Sequence, residues 1–331
     1  MILAGDVGGT KCSLGLFLEE GNVLRSIFQL RLATRSYAGF EDLVEDFLQQ
    51  ATAVDASSKR PAIDAAGFGV AGVVAEGRHY SENLPWVVDA SALTRRLNLK
   101  KIALLNDLAA TAASLEHMAP NDLAPVNEGT RAPHATRAVI AAGTGLGEAI
   151  LFWDGIKYQV APAEGGQADF APRTDRAIQL LSYLRRQLPK VSCEEIVSGR
   201  GFRRIHEFLD PAVRHEAFSS PEANTAGEIT QRALDGSCAV CRESLEFWVE
   251  IFGAAAGNFA LQTMALGGIY IAGGIAVKLL PKLREGVFFK SFCGASKLAP
   301  VLARIPVAVV MNEDAPMIGA AYQALATTQG S

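Results

Sequence analysis

Asn106 and Asp107 stand side by side after the apolar residues 102–105, which read as a strand. In open α/β sheets ligands bind at the carboxyl ends of strands. A carboxylate there can accept a hydroxyl proton, and the adjacent amide can orient the same substrate through donated and accepted hydrogen bonds. Helix capping by either residue is the competing structural use, and it is compatible with the chemical one. Glu164 and Gln167 in AEGGQ, and Glu194 in CEEIVSG, add long hydrogen-bonding side chains beside glycines. Carboxylates, Asn and Gln without a basic cluster suit a neutral polyhydroxylated ligand such as a sugar. Taken singly, each also reads as a solvated loop side chain.

Two glycine turns supply a different chemistry. Gly5, Asp6, Val7, Gly8, Gly9 and Thr10 lie between two apolar strands. Gly8 and Gly9 permit backbone angles that turn amide N–H groups and the Thr10 hydroxyl toward phosphate oxygens. Asp6 cannot contact a phosphate directly, and its natural role there is to hold Mg²⁺ through water. A plain hairpin turn with an incidental Asp is the alternative. Gly143, Thr144, Gly145, Leu146 and Gly147 repeat the setting, which makes a two-sided phosphate clamp. Gly273 and Gly274 end a buried strand before a helix, where small residues let a flat base lie against the backbone.

Other motifs lead elsewhere or nowhere. Gly67, Gly69 and Gly72 spell GxGxxG, but strand and turn residues follow where a dinucleotide fingerprint must open a helix. Neither phosphate turn is a Walker loop, and there is no GxSxG elbow or HExxH pair. Cys238 and Cys241 form CxxC in a helical stretch, but no second CxxC or His pair completes a zinc site, and so they read as reduced structural thiols. The uncharged run 251–277 is long enough to raise a membrane span, but Asn258, Gln262 and Gly267–Gly268 interrupt it. It reads as a core helix turning into a core strand.

The elements that must position these residues follow from hydrophobic periodicity. Strands are expected at 2–7, 13–18 and 23–30, with an EGN turn signal at 20–22, then a helix at 40–53 and a strand at 63–68. A hairpin around Glu76–Gly77, a helix at 90–97, a strand at 101–105 and a helix at 106–118 follow. A polar, Pro-containing stretch at 120–136 precedes strands at 138–142, 148–153 and 157–161, which repeat the opening layout. Helices are expected at 176–187, 238–266, 275–280 and 315–326, with a strand at 305–311 before the last. This alternation implies a partly parallel sheet with helical crossovers. A length of 331 residues allows about two domains. The net charge of −4 offers no general attraction for nucleic acid or anionic lipid, and five cysteines without a secretory signal fit a reducing cytoplasm.

The set as a whole resembles the bacterial glucokinases of the hexokinase-like, actin/Hsp70 ATPase superfamily. The resemblance is carried by GDVGGT at 5–10, NLPW at 83–86, LNDLAA at 105–110, AGTGLG at 142–147, EGGQADFAP at 164–172, EEIVSGRG at 194–201 and IAGGIA at 271–276. It implies a two-domain α/β, actin-like ATPase (ribonuclease H-like) fold with ATP and glucose in an interdomain cleft. The small domain would be 1–112 plus a returning helix at 315–331, and the large domain 113–314. Asp107 would be the catalytic base, with Asn106, Glu164, Gln167 and Glu194 on the sugar. Residues 5–10 and 143–145 would hold the nucleotide phosphates, with Gly273–Gly274 near the adenosine, and the protein would be a cytoplasmic homodimer. Where the family usually has EGGH, this chain has Gln167, which leaves a kinase of another hexose open. A sugar- or nucleotide-sensing regulator and an actin-like ATPase without a sugar acceptor are the other readings. The related ROK sugar kinases carry a zinc-binding cysteine cluster that this chain lacks, which argues against that branch and against a structural metal.

Overall fold

In the computed structural model, strand β1, Ile2–Val7, has both faces covered. Leu3 and Val7 enter one apolar cluster, and Ile2 and Ala4 enter another. The structure describes all residues except 22, 55–60, 81–83, 219–223 and 330–331, so Asn22 of the EGN turn and Asn83 of NLPW lie outside the described residues. The chain groups into two compact units. One comprises Met1–Asp122, Gln159–Pro162 and Asn312–Ser331, and the other Leu123–Tyr158 and Ala163–Met311.

In the first unit, β2 (Lys11–Glu20) and β3 (Val23–Ala33) run antiparallel in succession from β1. Helix α1 (Phe40–Val54) leads to β4 (Ala65–Val70), and a small hairpin of β5 (Val73–Ala75) and β6 (Arg78–Tyr80) turns at Glu76 and Gly77, both with positive φ. Helix α2 (Ala90–Leu97), capped by Asp89, precedes β7 (Ile102–Asn106) and α3 (Asp107–Ser114). β4 and β7 join in parallel, giving the order β3-β2-β1-β4-β7. One face packs Phe40, Phe47, Leu93 and Leu97 of α1 and α2 over Phe68 and Val70. The other face belongs to the final helix α11 (Ala315–Gln329), whose Met317, Ala321 and Ala324 pack on Ile2, Ala4 and Ala65. On that face a Cβ at Gly67 would collide with the Ala320 carbonyl, and one at Gly69 would meet the Ala110 Cβ of α3 at 2.8 Å. Gly67 and Gly69 of the GxGxxG spelling are therefore helix-packing positions of β4.

In the second unit, β8 (Leu123–Asn127), β9 (Arg137–Ala142) and β10 (Leu146–Trp153) precede α4 (Asp175–Leu184), α5 (Gly199–Leu209) and α6 (Thr225–Leu234), while Gln159–Pro162 of the intervening β11 (Tyr158–Ala163) group with the first unit. The long α7 (Ala239–Thr263) feeds β12 (Gly268–Ala272), followed by α8 (Gly274–Arg284), α9 (Val287–Cys293), α10 (Ala299–Leu302) and β13 (Val307–Val310). β10, β9, β12, β13 and β8 lie side by side in that order. The run 251–277 is the second half of α7, β12 and the start of α8. Among the described residues no helix is long and apolar enough to cross a membrane. Trp248 and Phe252 of α7 are fully buried, and Gly253 and Gly257 let the α9 backbone approach at Phe288 and Phe292.

The polar, Pro-containing stretch 120–136, to which the sequence assigns no element, holds β8. Pro125 inside that strand is tolerated because β8 pairs only at a sheet edge, with β13, where a missing N–H breaks no second ladder. Helices α5 and α6 also escape the sequence pattern.

Candidate active site

The parallel strands β1, β4 and β7 end in register, with Val7 opposite Val70 and Val70 opposite Asn106. This brings residues 5–10 and the Asn106–Asp107 pair to the same edge of the first sheet, at the carboxyl ends of its parallel strands. Asn106 caps α3, its Oδ1 accepting the Ala109 N–H at 2.9 Å while its Nδ2 donates to the Gly72 carbonyl at 3.3 Å. The amide plane is thereby fixed. Asp107 is the first residue of α3, and its Oδ1 accepts the Leu108 N–H at 2.8 Å. Negative charge is favoured at a helix N-terminus.

The first glycine turn is braced from outside. Gly8 donates to the Lys11 carbonyl at 3.1 Å, and the Gly8 carbonyl accepts the Thr34 hydroxyl at 2.6 Å. Thr10 is exposed at the tip. Burial pushes the Asp6 carboxyl up to about 6, with Lys11 and Arg31 working against it and Asp314 reinforcing it. The Asp6 carboxylate is a hard oxygen donor with charge to be relieved, and this suits a hydrated Mg²⁺.

In the second unit the turns lock onto one another. Gly143 donates to the Gly145 carbonyl at 2.8 Å, and Gly199, opening α5, donates to the Gly143 carbonyl at 2.8 Å. The Glu194 carboxylate accepts the Leu146 N–H at 3.0 Å and pairs with Arg200 at 2.8 Å, lying so close to Gly145 that a Cβ there would strike it. Its backbone N–H donates to the Gly166 carbonyl at 2.9 Å, and that of Gln167 donates to the Glu164 carbonyl at 3.0 Å. Glu164 and Gln167 are exposed. Partial desolvation and the Glu194 charge hold the Glu164 carboxyl above its ordinary range.

A cavity of about 1200 Å³ opens beside the second turn. It brings Gly143 and Thr144 together with Gly274 and Lys278 of α8 and with Asn224, Gly227 and Gln231 at α6. A Cβ on Gly143 or Gly274 would meet nothing within 4 Å, so the glycines face open space.

Sequence reasoning missed three features. Glu148, which stands where a GxGxxG spelling of the second turn would need its last glycine, is buried against Gly165, and burial together with Glu164 pushes its carboxyl up to about 7. A charged residue at an inward position of β10 was the available signal. The α6 wall of the cavity gave no motif. The reading of Cys238 and Cys241 without a His pair is corrected, because the fold brings His206 and His215 beside them from earlier in the chain.

Two α/β units, each built on a sheet that opens with a glycine-turn hairpin, define a sugar kinase of the actin-like ATPase fold. The solved structure of a glucokinase from an Antarctic psychrotroph superposes with a TM-score of 0.85 at 26% identity, covering 98% of each chain. The glucokinase from Balamuthia mandrillaris in complex with glucose follows at 0.76 and 20% identity, covering 98% of this chain and 93% of that one. A glucokinase of Nostoc sp. (strain PCC 7120) is 35% identical over 342 residues, covering 97% of this chain and 98% of its own. The glucokinase family model matches residues 3–327. The chain belongs to the glucokinase family, whose members are ATP-dependent hexose kinases.

Proposed function

We propose that this protein transfers the γ-phosphoryl group of ATP to the 6-hydroxyl of glucose, giving glucose 6-phosphate and ADP. The glucose O6 forms a bond to the γ-phosphorus as the bond to the ADP oxygen breaks, and the O6 proton passes to the Asp107 carboxylate. Phosphoryl transfer needs little covalent help, so alignment of the two substrates does most of the work. Asn106, Glu164, Gln167 and Glu194 take the sugar hydroxyls. Residues 5–10 and 143–145 take the phosphates through backbone N–H groups and the Thr10 and Thr144 hydroxyls, with Gly273 and Gly274 beside the adenosine. Asp6 would hold a hydrated Mg²⁺, which supplies charge neutralisation on the phosphates.

The reading rests on one observation, a carboxylate at the start of α3 held where β7 ends, at the same sheet edge as the first glycine turn. Family membership over residues 3–327 supports it. The test is a coupled assay of ADP release across glucose, mannose, fructose, galactose and N-acetylglucosamine. Release that needs glucose and falls by about 10²- to 10⁴-fold in a folded Asp107→Asn variant is the expected result. Sugar-independent release would favour a plain ATPase, and unchanged turnover in the variant would remove Asp107 from the mechanism. The resemblance also carries a homodimer, which light scattering of the purified chain tests, and a cytoplasmic location.

A further inference from the structure

The second unit gathers four side chains that the kinase reading does not use. His206 sits in the last turn of α5 and is fully buried, and His215 follows on the connection after it. Cys238 caps α7, and Cys241 lies one turn further on, also fully buried. One ligand atom from each of the four comes within 4.8 Å of all the others. His215 Nε2 is 3.2 Å from Cys241 Sγ, and the Cys241 N–H donates to Cys238 Sγ at 3.4 Å. Neither ring nitrogen of His206 has a hydrogen-bond partner among the described residues. A neutral imidazole carries one donor and one acceptor, so this ring leaves both buried without a mate. Phe218 stands edge-on to both imidazoles, at 4.9 and 5.4 Å, and closes the cluster with an apolar wall.

We propose that His206, His215, Cys238 and Cys241 form a closed tetrahedral site for a zinc-class divalent cation. Two sulfur and two nitrogen donors with no carboxylate select a borderline-soft ion of tetrahedral preference, and four protein ligands leave no position for a substrate. Two thiolates balance the ion's charge, so the filled site is neutral, as its burial requires. The two thiols must give up their protons to bind the ion, so metal uptake releases protons. The N–H donated to Cys238 and the α7 N-terminus suit an anionic sulfur there.

The ion would tie the end of α5 to the start of α7 and so restrain α6, which lies between them in the chain. That helix walls the 1200 Å³ cavity beside Gly143 and Gly274. On the reading of that cavity as the nucleotide site, metal loss raises KM for ATP and leaves KM for glucose unchanged.

Elemental analysis of the tag-free chain should find about one zinc per polypeptide. Cobalt substitution should give the intense visible bands of a tetrahedral site together with thiolate-to-cobalt charge transfer. Alkylation mapped by mass spectrometry should find Cys238 and Cys241 protected when zinc is bound and labelled after chelation. Cys238→Ser and His215→Gln should each abolish the cobalt bands. Because either variant could misfold, the wild-type cobalt titration decides. Failure to retain zinc or cobalt after desalting, a six-coordinate cobalt spectrum, or a Cys238–Cys241 disulfide recovered from reducing buffer would each overturn the site. An unchanged KM for ATP in a chain that does bind one zinc would overturn only the coupling to the cavity.

Discussion

Glu148 carries the residue-scale consequence. Its carboxyl is buried next to Glu164, and its proton is held up to about 7 against an ordinary 4.5. The folded chain keeps this proton where the unfolded chain has released it. Glu148 therefore contributes its full stabilisation below about 4.5, loses it progressively as pH rises toward 7, and above that leaves a buried charge in the fold. The change across that interval is on the order of 3 kcal/mol. Glu148→Gln should flatten this slope, so that urea midpoints at about pH 5 and about pH 8 differ less than in the wild type. Equal slopes in the two proteins would show that another group carries the dependence. The sequence displays Glu148 but not its burial, because one charge in an apolar strand says nothing about which glycine packs over it. The Asn106–Asp107 pair was legible because its chemistry depends on local order along the chain. The His206–Cys241 association was not, since it is made by helix packing between distant positions.

At the scale of elements, the glycines separate packing from binding. Gly67 lies under α11, and a methyl group there would strike the Ala320 backbone, which cannot move without the whole helix. Gly67→Ala should cost about 1–3 kcal/mol or more. Gly274 opens α8 onto free space, so Gly274→Ala should leave stability within about 0.5 kcal/mol and raise KM for ATP several-fold by narrowing the cavity. Thermal melts and steady-state kinetics on the two variants check both halves. A stable Gly67→Ala protein would mean that α11 adjusts, and an unchanged KM in Gly274→Ala would move the adenosine elsewhere. Strands such as β1, β2 and β9 were readable because each is a short, nearly continuous apolar run beside a glycine turn, buried on both faces. β8 was not, because Pro125 and the polar residues that flank the strand carry the signs of a loop, which an edge strand can bear.

At the scale of the whole molecule, the first unit is discontinuous. Its sheet comes from the opening residues and one of its two covering layers from Asn312–Ser331. A chain ending at Met311 would leave Ile2, Ala4 and Ala65 and the Gly67 face bare. We expect that truncation to lose cooperative unfolding in calorimetry and to bind apolar dyes, and a sharp wild-type-like melt would contradict this. During synthesis the strands emerge about 200 to 300 residues before the helix that must shield them, a delay of tens of seconds at ordinary elongation rates. Throughout that window the nascent sheet offers a sticky flank to its neighbours on the polysome. Any premature stop upstream of the last helix therefore yields material destined for chaperones or proteases instead of a half-active kinase.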